Sequence, residues 1–449
     1  MKRWFNTLVA FLLAGDHPLY KEILLRRSFK IMVIQAVGLL LSLAANILLA
    51  RIYGEEVYGV YSLVTSWSIL IAVVALFGMD DSHLVKLPSY KFSRLHSHLK
   101  AQFAWSFQVN FLSTFGCIFT AYALINWGHI EGLSLHAHEF NFGLAMVAIL
   151  CFYNNLISFL RGIDLVVAGE IIDKIFRPTA FLLFVYLLHS LMPIIGAGGA
   201  LLANNLALLI VLGTAFMLII PYLRMPGKIQ IREMNFSLRP NLRYTFLNLL
   251  YLFASRLDIL LLGILASPIV VGHYNVASRF SEVFSYPIAI INLSLPTLIA
   301  KERNDKGINS SPGLMMVIAR NSFFQCLLLD MVVLFAGNWF LSWYGKGFTE
   351  AFPVLLILLS SSLVSAFTGS LDVFFIMNGA EKKAIYCRIV ALLFSLLLAI
   401  FLVPPLGMIG AALSMLGGNI IYSSMLEYQF FRQYGVIVHP FHFTNPEKQ

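Results

Sequence analysis

Leu49-Ala50-Arg51-Ile52-Tyr53-Gly54-Glu55-Glu56-Val57-Tyr58-Gly59-Val60-Tyr61 is a short charged stretch between two apolar runs, roughly 31–50 and 59–78. Each run has about the 20 residues that an α-helix needs to cross the hydrocarbon core of a bilayer. Gly54 with its two glutamates marks a tight turn, so the stretch reads as the outer loop of a helical hairpin.

The same reading carried along the chain gives twelve apolar segments: roughly 31–50, 59–78, 102–126, 141–160, 178–195, 199–222, 244–265, 271–298, 318–340, 352–376, 386–403 and 408–428. Composition agrees. Of 449 residues, 59% are apolar and only 12% charged, and the mean hydropathy is +0.81. A soluble domain is roughly 25% charged, so lipid rather than water is the solvent this surface suits. The net charge of +9 does not indicate nucleic acid, because it is dispersed among short loops between apolar runs. Those loops alternate. The set on the N-terminal side, including residues 1–30, holds 27 of the 31 Lys and Arg residues, whereas the other set holds only Arg51 and Lys346. By the positive-inside rule both ends of the chain are expected in the cytoplasm. Lys2, Arg3, Lys21, Arg26, Arg27 and Lys30 make residues 1–30 a basic interfacial segment rather than a cleaved leader. Cys117, Cys151, Cys326 and Cys387 lie in or beside apolar runs, in neither a metal nor a disulfide spacing, and read as buried free thiols.

A repeat is visible. Gly59-x-Tyr61 opens the second span, and Gly272-x-Tyr274 opens the eighth, 213 residues on. Gly196-x-x-Gly199-Ala200 and Gly407-x-x-Gly410-Ala411 open the sixth and twelfth, 211 apart, and Arg177 and Arg388 share that offset. Six spans is an even number, so the halves are parallel repeats. The expected organisation is a basic segment (1–30), a six-helix lobe (31–222), a cytoplasmic linker (223–243), a second six-helix lobe (244–428) and a tail (429–449), with the lobes around a central cleft.

At these residues the sequence resembles a known family. Ala50-Arg51-Ile52-Tyr53-Gly54-Glu55-Glu56-x-Tyr58-Gly59-x-Tyr61, Asp258 to Gly263, Gly272-x-Tyr274-x-Val276-Ala277-x-Arg279, Pro296, Gly345-x-Gly347-Phe348, Asn378-Gly379 and Gly407-x-x-Gly410-Ala411 are similar to the bacterial polysaccharide flippases. These are the O-antigen-type members of the multidrug/oligosaccharidyl-lipid/polysaccharide exporter superfamily. The resemblance implies alternating-access transfer of a polyprenyl-pyrophosphate-linked oligosaccharide from the cytoplasmic to the periplasmic leaflet. It implies a multi-pass protein of the inner membrane, serving lipopolysaccharide or similar surface polysaccharide, with polymerase or other biosynthetic proteins as partners. No cofactor and no enzymatic activity are expected. The phosphate-binding loops of nucleotide-driven pumps are not visible, and the outer loops are too short for a catalytic domain. A cation-coupled drug antiporter of the same superfamily is the alternative. A major-facilitator transporter fits less well, because Gly78-Met79-Asp80-Asp81-Ser82-His83 lacks the basic loop of that group.

Ionisable residues inside spans are costly and are functional candidates by default. Arg256, about twelve residues into the seventh span, is the leading substrate-binding candidate, with Arg279, Arg51 and Asn46 beside it. The bland readings are a structural ion pair for Arg256, self-neutralisation with Glu282 for Arg279, snorkelling for Arg51, and helix–helix hydrogen bonding for Asn46. Asp258, Glu282, Asp330 and Asp372 are candidates for ion coupling. Pro287 is expected to kink the eighth span. His129, His136 and His138 lie in an outer loop without metal geometry.

Overall fold

The computed structural model describes residues 18–93, 95–127, 137–191, 196–224, 238–286, scattered positions between 288 and 299, and 312–441. Pro287, Pro296, His129, His136, most of the linker and most of the N-terminal segment lie outside the described residues. In chain order the helices are α1 (Pro18–Leu76), α2 (Met79–Phe92), α3 (His96–Trp127), α4 (Ala137–Gly162), α5 (Val166–Ile171), α6 (Arg177–Leu191), α7 (Ala197–Leu223), α8 (Arg239–Leu265), α9 (Pro268–Phe284), α10 (Pro312–Ser342), α11 (Phe352–Phe367), α12 (Leu371–Met377), α13 (Glu381–Leu406) and α14 (Met408–Tyr434). A π turn, Ile172–Phe176, joins α5 to α6. Among the described residues there is no strand.

Over its described residues, every expected span falls on a helix. The first two form α1, which breaks at Gly54 with φ 83° and ψ 179°. That region is essentially restricted to glycine. An added Cβ there would meet nothing within 4 Å, so the constraint is conformational rather than steric. The fifth falls on α6, with α5 and the π turn preceding it. The tenth is α11 with α12, interrupted at Gly369 and Ser370, whose φ values are 62° and 61°. Nine helical stretches among the described residues are long and apolar enough to cross a membrane, and one of them, Lys30–Leu76, carries two spans. The chain is an all-α, multi-pass membrane protein of about twelve spans.

The structure departs from the sequence reading after the second span. Residues 79–101 are expected as loop, yet most of them form α2 and the start of α3. Phe77 and Gly78, at φ 51° and 62°, bend the chain. It then continues alongside α3 and α4 instead of leaving them. Ser113 on α3 donates to the Ala75 carbonyl, and Gln102, three turns earlier, donates to Ser82.

The chain divides into two compact units, one from Lys30 to Gly272 and one that takes in the residues from His273 onward. In the first, α4 is central: 72% of its span is buried, against 17% for that of α3. It packs on α2, α3 and α7. Asn205 on α7 donates to the Phe142 carbonyl of α4 at 3.1 Å, and the buried residues of α7 include the small Gly199, Ala200, Ala203 and Ala207. Small residues let backbones approach where lipid supplies no hydrophobic drive. In the second unit α14 is central, packed on α11 and α13. A Cβ at Gly410 would stand 2.1 Å from the Leu402 carbonyl oxygen, so α13 and α14 touch at backbone distance. After α14 the chain turns at Gly435 (φ 70°). Val438 is buried in the apolar core of that unit, and Phe441 meets Phe323 edge-on at 5.8 Å between centroids.

The repeat is visible in the helices, with one adjustment. α7 and α14 begin 211 residues apart and both have 27 residues, as the Gly-x-x-Gly-Ala pair implies. Val166, which starts α5, and Glu381, which starts α13, are instead 215 apart. Counted from those starts, Arg388 occupies the position of Asp173, and Arg177 lies one turn further along.

Candidate functional site

Asn46 and Arg51 frame the outer turn of α1. Asn46 is buried (8% exposed). Its Nδ2 donates to the Ser42 carbonyl at 2.7 Å, and its Oδ1 accepts from the Tyr58 hydroxyl at 3.3 Å. One amide thus ties the two halves of α1 across Gly54. Arg51 is exposed beside it. Arg256 and Asp258 lie half-buried on α8, and Asp258 Oδ1 accepts from the Ile259 backbone N–H at 2.8 Å.

In the second unit, Arg279 and Glu282 form an i,i+3 ion pair at 3.2 Å. The pair gives this face of α9 an internal counter-charge. Asp330 sits on α10 one turn from buried Cys326, and its Oδ2 has no hydrogen-bond partner among the described residues. Asp372, at the start of α12, accepts from the Val373 backbone N–H at 2.9 Å and pairs with Arg388 on α13 at 3.5 Å. The Arg388 guanidinium stacks 3.6 Å from the centroid of Tyr422 on α14. Asp372, Arg388 and Tyr422 therefore pin three helices together.

The first unit has a matching cluster that the sequence reading does not single out. Asp173, in the π turn, is 3.2 Å from Arg161, 3.0 Å from Lys174 and 3.8 Å from Arg177. It also accepts from the Tyr153 hydroxyl at 2.7 Å. Arg161 reaches Glu170 as well, at 3.0 Å. Burial alone would push the Asp173 carboxyl up, but the charges of Lys174 and Arg177 and the Tyr153 hydrogen bond outweigh it and hold it at about 2. The three cations exceed the two acids, so this end of α4 and α5 keeps a net positive charge. The available signal was the run of Lys and Arg in 161–177; what hid the cluster is that its members come from two helices and a π turn. Such turns recur at functional sites.

A bundle of about twelve spans, several with ionisable side chains among their apolar residues, defines a multi-pass membrane protein. The family model for polysaccharide biosynthesis proteins matches residues 24–300. The chain belongs to that family, within the multidrug/oligosaccharidyl-lipid/polysaccharide exporter superfamily. No curated protein sequence matches it. Among solved structures it is similar to an inward-facing multidrug resistance MATE family transporter of the MOP superfamily, with 14% identity, 90% of this chain and 98% of that chain covered, and a TM-score of 0.73. It is similar to the lipid II flippase MurJ in an inward closed conformation, with 13% identity, 89% and 87% covered, and a TM-score of 0.67. It is also similar to MATE in complex with MaL6, with 17% identity, 94% and 98% covered, and a TM-score of 0.64. At such identities these likenesses establish the fold. The family and these neighbours are transporters and flippases, not enzymes.

Proposed function

We propose that this protein is a flippase that carries a polyprenyl-pyrophosphate-linked oligosaccharide from the cytoplasmic to the periplasmic leaflet of a bacterial inner membrane. Its product would feed the assembly of a surface polysaccharide such as O-antigen. The observation that carries this reading is the family match across residues 24–300. The physical need is clear. Each unpaired sugar hydroxyl costs about 2–7 kcal/mol in hydrocarbon, so an oligosaccharide crosses only along a polar path between helices, while its polyprenyl tail stays in lipid. The pyrophosphate calls for a cation at membrane depth. Arg256, half-buried on α8, is the residue we assign to it, with Arg51 and Arg279 as secondary contacts and Asn46 holding the outer turn in place. Asp258, Glu282, Asp330 and Asp372 remain the coupling candidates of this reading.

The test is binding. Native mass spectrometry of the purified full chain with an undecaprenyl-pyrophosphate-linked oligosaccharide should show a one-to-one complex, weakened in Arg256→Ala. A wild-type chain that binds cationic drugs and ignores the lipid would point to the drug antiporters of the superfamily instead.

A further inference from the structure

The cluster around Asp173 has no part in the function proposed above, and its cations are under-used. Asp173 Oδ2 lies 3.2 Å from Arg161 Nη2 and 3.0 Å from Lys174 Nζ, and its Oδ1 lies 3.8 Å from Arg177 Nη1. Arg161 makes its second ion pair, to Glu170 at 3.0 Å, through the same Nη2. Its Nε is buried and has no hydrogen-bond partner among the described residues. The Arg177 contact is too long for a hydrogen bond, and that guanidinium otherwise lies 5.5 Å over the Tyr153 ring. Among the described residues, each arginine therefore directs one nitrogen of its fork at an acid. The acids also accept from neutral donors: Asp173 from the Tyr153 hydroxyl at 2.7 Å, and Glu170 from Gln35 Nε2 at 3.4 Å. Three positive charges meet two negative ones that are already partly satisfied, so N–H donors and one positive charge are left over.

Burial sorts the two signs. Side-chain exposure is 29% for Arg161 and Arg177 and 44% for Lys174, against 9% for Glu170 and 14% for Asp173. The acids form a floor and the cations a rim. The floor is braced by α1 and α4: Gln35 reaches it from α1, a Cβ at Gly38 would stand 2.4 Å from the Lys174 carbonyl oxygen, and Tyr153 comes from α4. Ile171 and Phe176, which bracket Asp173 and Lys174 in the chain, are each 42% exposed. Exposed apolar groups beside a polar rim mark a surface that meets lipid in a membrane protein.

Depth points the same way. Arg161 lies one residue past the apolar run at 141–160, on the cytoplasmic side, and Tyr153 lies eight residues further in, about 12 Å along α4. The headgroup layer is about 5–7 Å deep on each side of the hydrocarbon. The cluster therefore spans the boundary where inner-leaflet phosphates lie, and basic pockets between membrane helices on this side take anionic headgroups. An acidic protein segment would need a rim that stands clear of the bilayer. A phosphate suits the leftover donors, because its oxygens point to several sides and can accept from both forks and from Lys174.

We propose that Arg161, Lys174 and Arg177 form a phosphate site for a lipid of the inner leaflet. Two lipids carry the chemistry: an anionic phospholipid, and a polyprenyl pyrophosphate held at the protein's edge before it enters the bundle. Only the second occupant rests on the flippase reading; the site itself does not. Glu170 and Asp173 hold the cations in place and set how tightly an anion binds, because each subtracts one charge.

Native mass spectrometry of the full chain tests the site with four probes: phosphatidylglycerol, undecaprenyl pyrophosphate, diacylglycerol and inorganic phosphate. Diacylglycerol keeps the acyl chains and lacks the phosphate, so the wild type should retain phosphatidylglycerol over it. Lys174→Gln removes the most exposed of the three cations and should weaken that retention roughly fivefold, the worth of one cation at a headgroup; Lys174→Arg should restore it. Arg177→Gln, which gives up the longest of the contacts to Asp173, should weaken it by a similar factor. Glu170→Gln keeps every cation and removes one negative charge, so it should tighten retention, also roughly fivefold. A cluster that only holds helices together would show loss or no change in that variant. Tighter retention of undecaprenyl pyrophosphate than of phosphatidylglycerol, with the same charge dependence, makes this an entry site for the substrate, and the reverse order makes it a site for a resident phospholipid. Equal retention of phosphatidylglycerol and diacylglycerol overturns the proposal. So does retention that none of these substitutions moves, or a charge dependence shown by inorganic phosphate alone. Charge-dependent retention in a chain that flips nothing keeps this site and removes the flippase reading, and flipping without it does the reverse.

Discussion

Gly59 and Gly272, the paired glycines of the two Gly-x-Tyr motifs, pack against each other. A Cβ at Gly272 would stand 3.3 Å from the Gly59 Cα and 3.0 Å from the Glu55 carbonyl oxygen. One at Gly59 would stand 1.8 Å from the Pro268 carbonyl oxygen. The obstacle is backbone in both cases, so no side chain can rotate away. The backbone at each motif glycine therefore leaves no room for a side chain. The tyrosines two residues on are both buried. Tyr61 stacks on Phe181 at 5.9 Å between centroids, and Tyr274 directs its hydroxyl at Met415. Gly59→Ala should destabilise the protein by about 1–3 kcal/mol through overpacking, and Gly213→Ala, where an added Cβ meets nothing within 4 Å, should not. Thermal unfolding in detergent distinguishes the two.

The outer turn offers a second prediction. Asn46 joins Ser42 and Tyr58 across Gly54, so Tyr58→Phe should cost about 0.5–1.5 kcal/mol, one net hydrogen bond. Asn46→Ala should cost more, because it removes both the bond to Ser42 and the bond from Tyr58. Chemical denaturation of both single variants and the double variant measures the coupling.

Arg388→Lys should not be conservative. The guanidinium faces both the Asp372 carboxylate and the Tyr422 ring, and an ammonium cannot serve both planes. We expect a loss of about 1–2 kcal/mol. A double-mutant cycle with Asp372→Asn should show a positive coupling energy between the two sites.

Asp173 sets an acid limit. Its carboxyl is held at about 2 in the folded chain, below the roughly 3.9 of an unfolded aspartate. The stabilisation is therefore complete above about pH 4 and is lost as pH falls towards 2. Acid unfolding of Asp173→Asn should lack that component, and the variant should be weaker than wild type at neutral pH. Identical acid profiles would contradict the reading of this cluster.

Much of this was legible in the sequence, for reasons that differ by residue. Apolar run length and alternating basic loops mark the twelve spans, because the bilayer fixes both. Gly54 and the Gly-x-Tyr repeat are legible because a turn and a close backbone approach each require glycine. The pairing of Arg279 with Glu282 follows from helical spacing alone. α2 is not legible as a packed helix: Asp80, Asp81, Lys86 and Lys91 interrupt its apolar pattern, and the bend at Phe77 and Gly78 packs closely on α8 at Asn241 and Tyr244. The pairing of Asp372 with Arg388 is hidden because the partners are sixteen residues apart across the turn at Asn378 and Gly379. Gln102, Ser106, Asn110 and Thr114 on α3 show a four-residue spacing in the sequence, but only the bonds of Gln102 to Ser82 and of Ser106 to Asn155 show which helices that face meets.

The central claim is that this chain moves a lipid-linked oligosaccharide between leaflets and that Arg256 receives its pyrophosphate. The most direct measurement is flipping of a fluorescent undecaprenyl-pyrophosphate-linked oligosaccharide in proteoliposomes, with wild type and Arg256→Ala compared at equal folded protein. The account predicts transfer by the wild type and a loss of about 2–5 kcal/mol of substrate interaction in the variant, the cost of leaving a buried charge unpaired. A folded wild type that leaves the lipid on one side, with or without a pH or Na⁺ gradient, would contradict it.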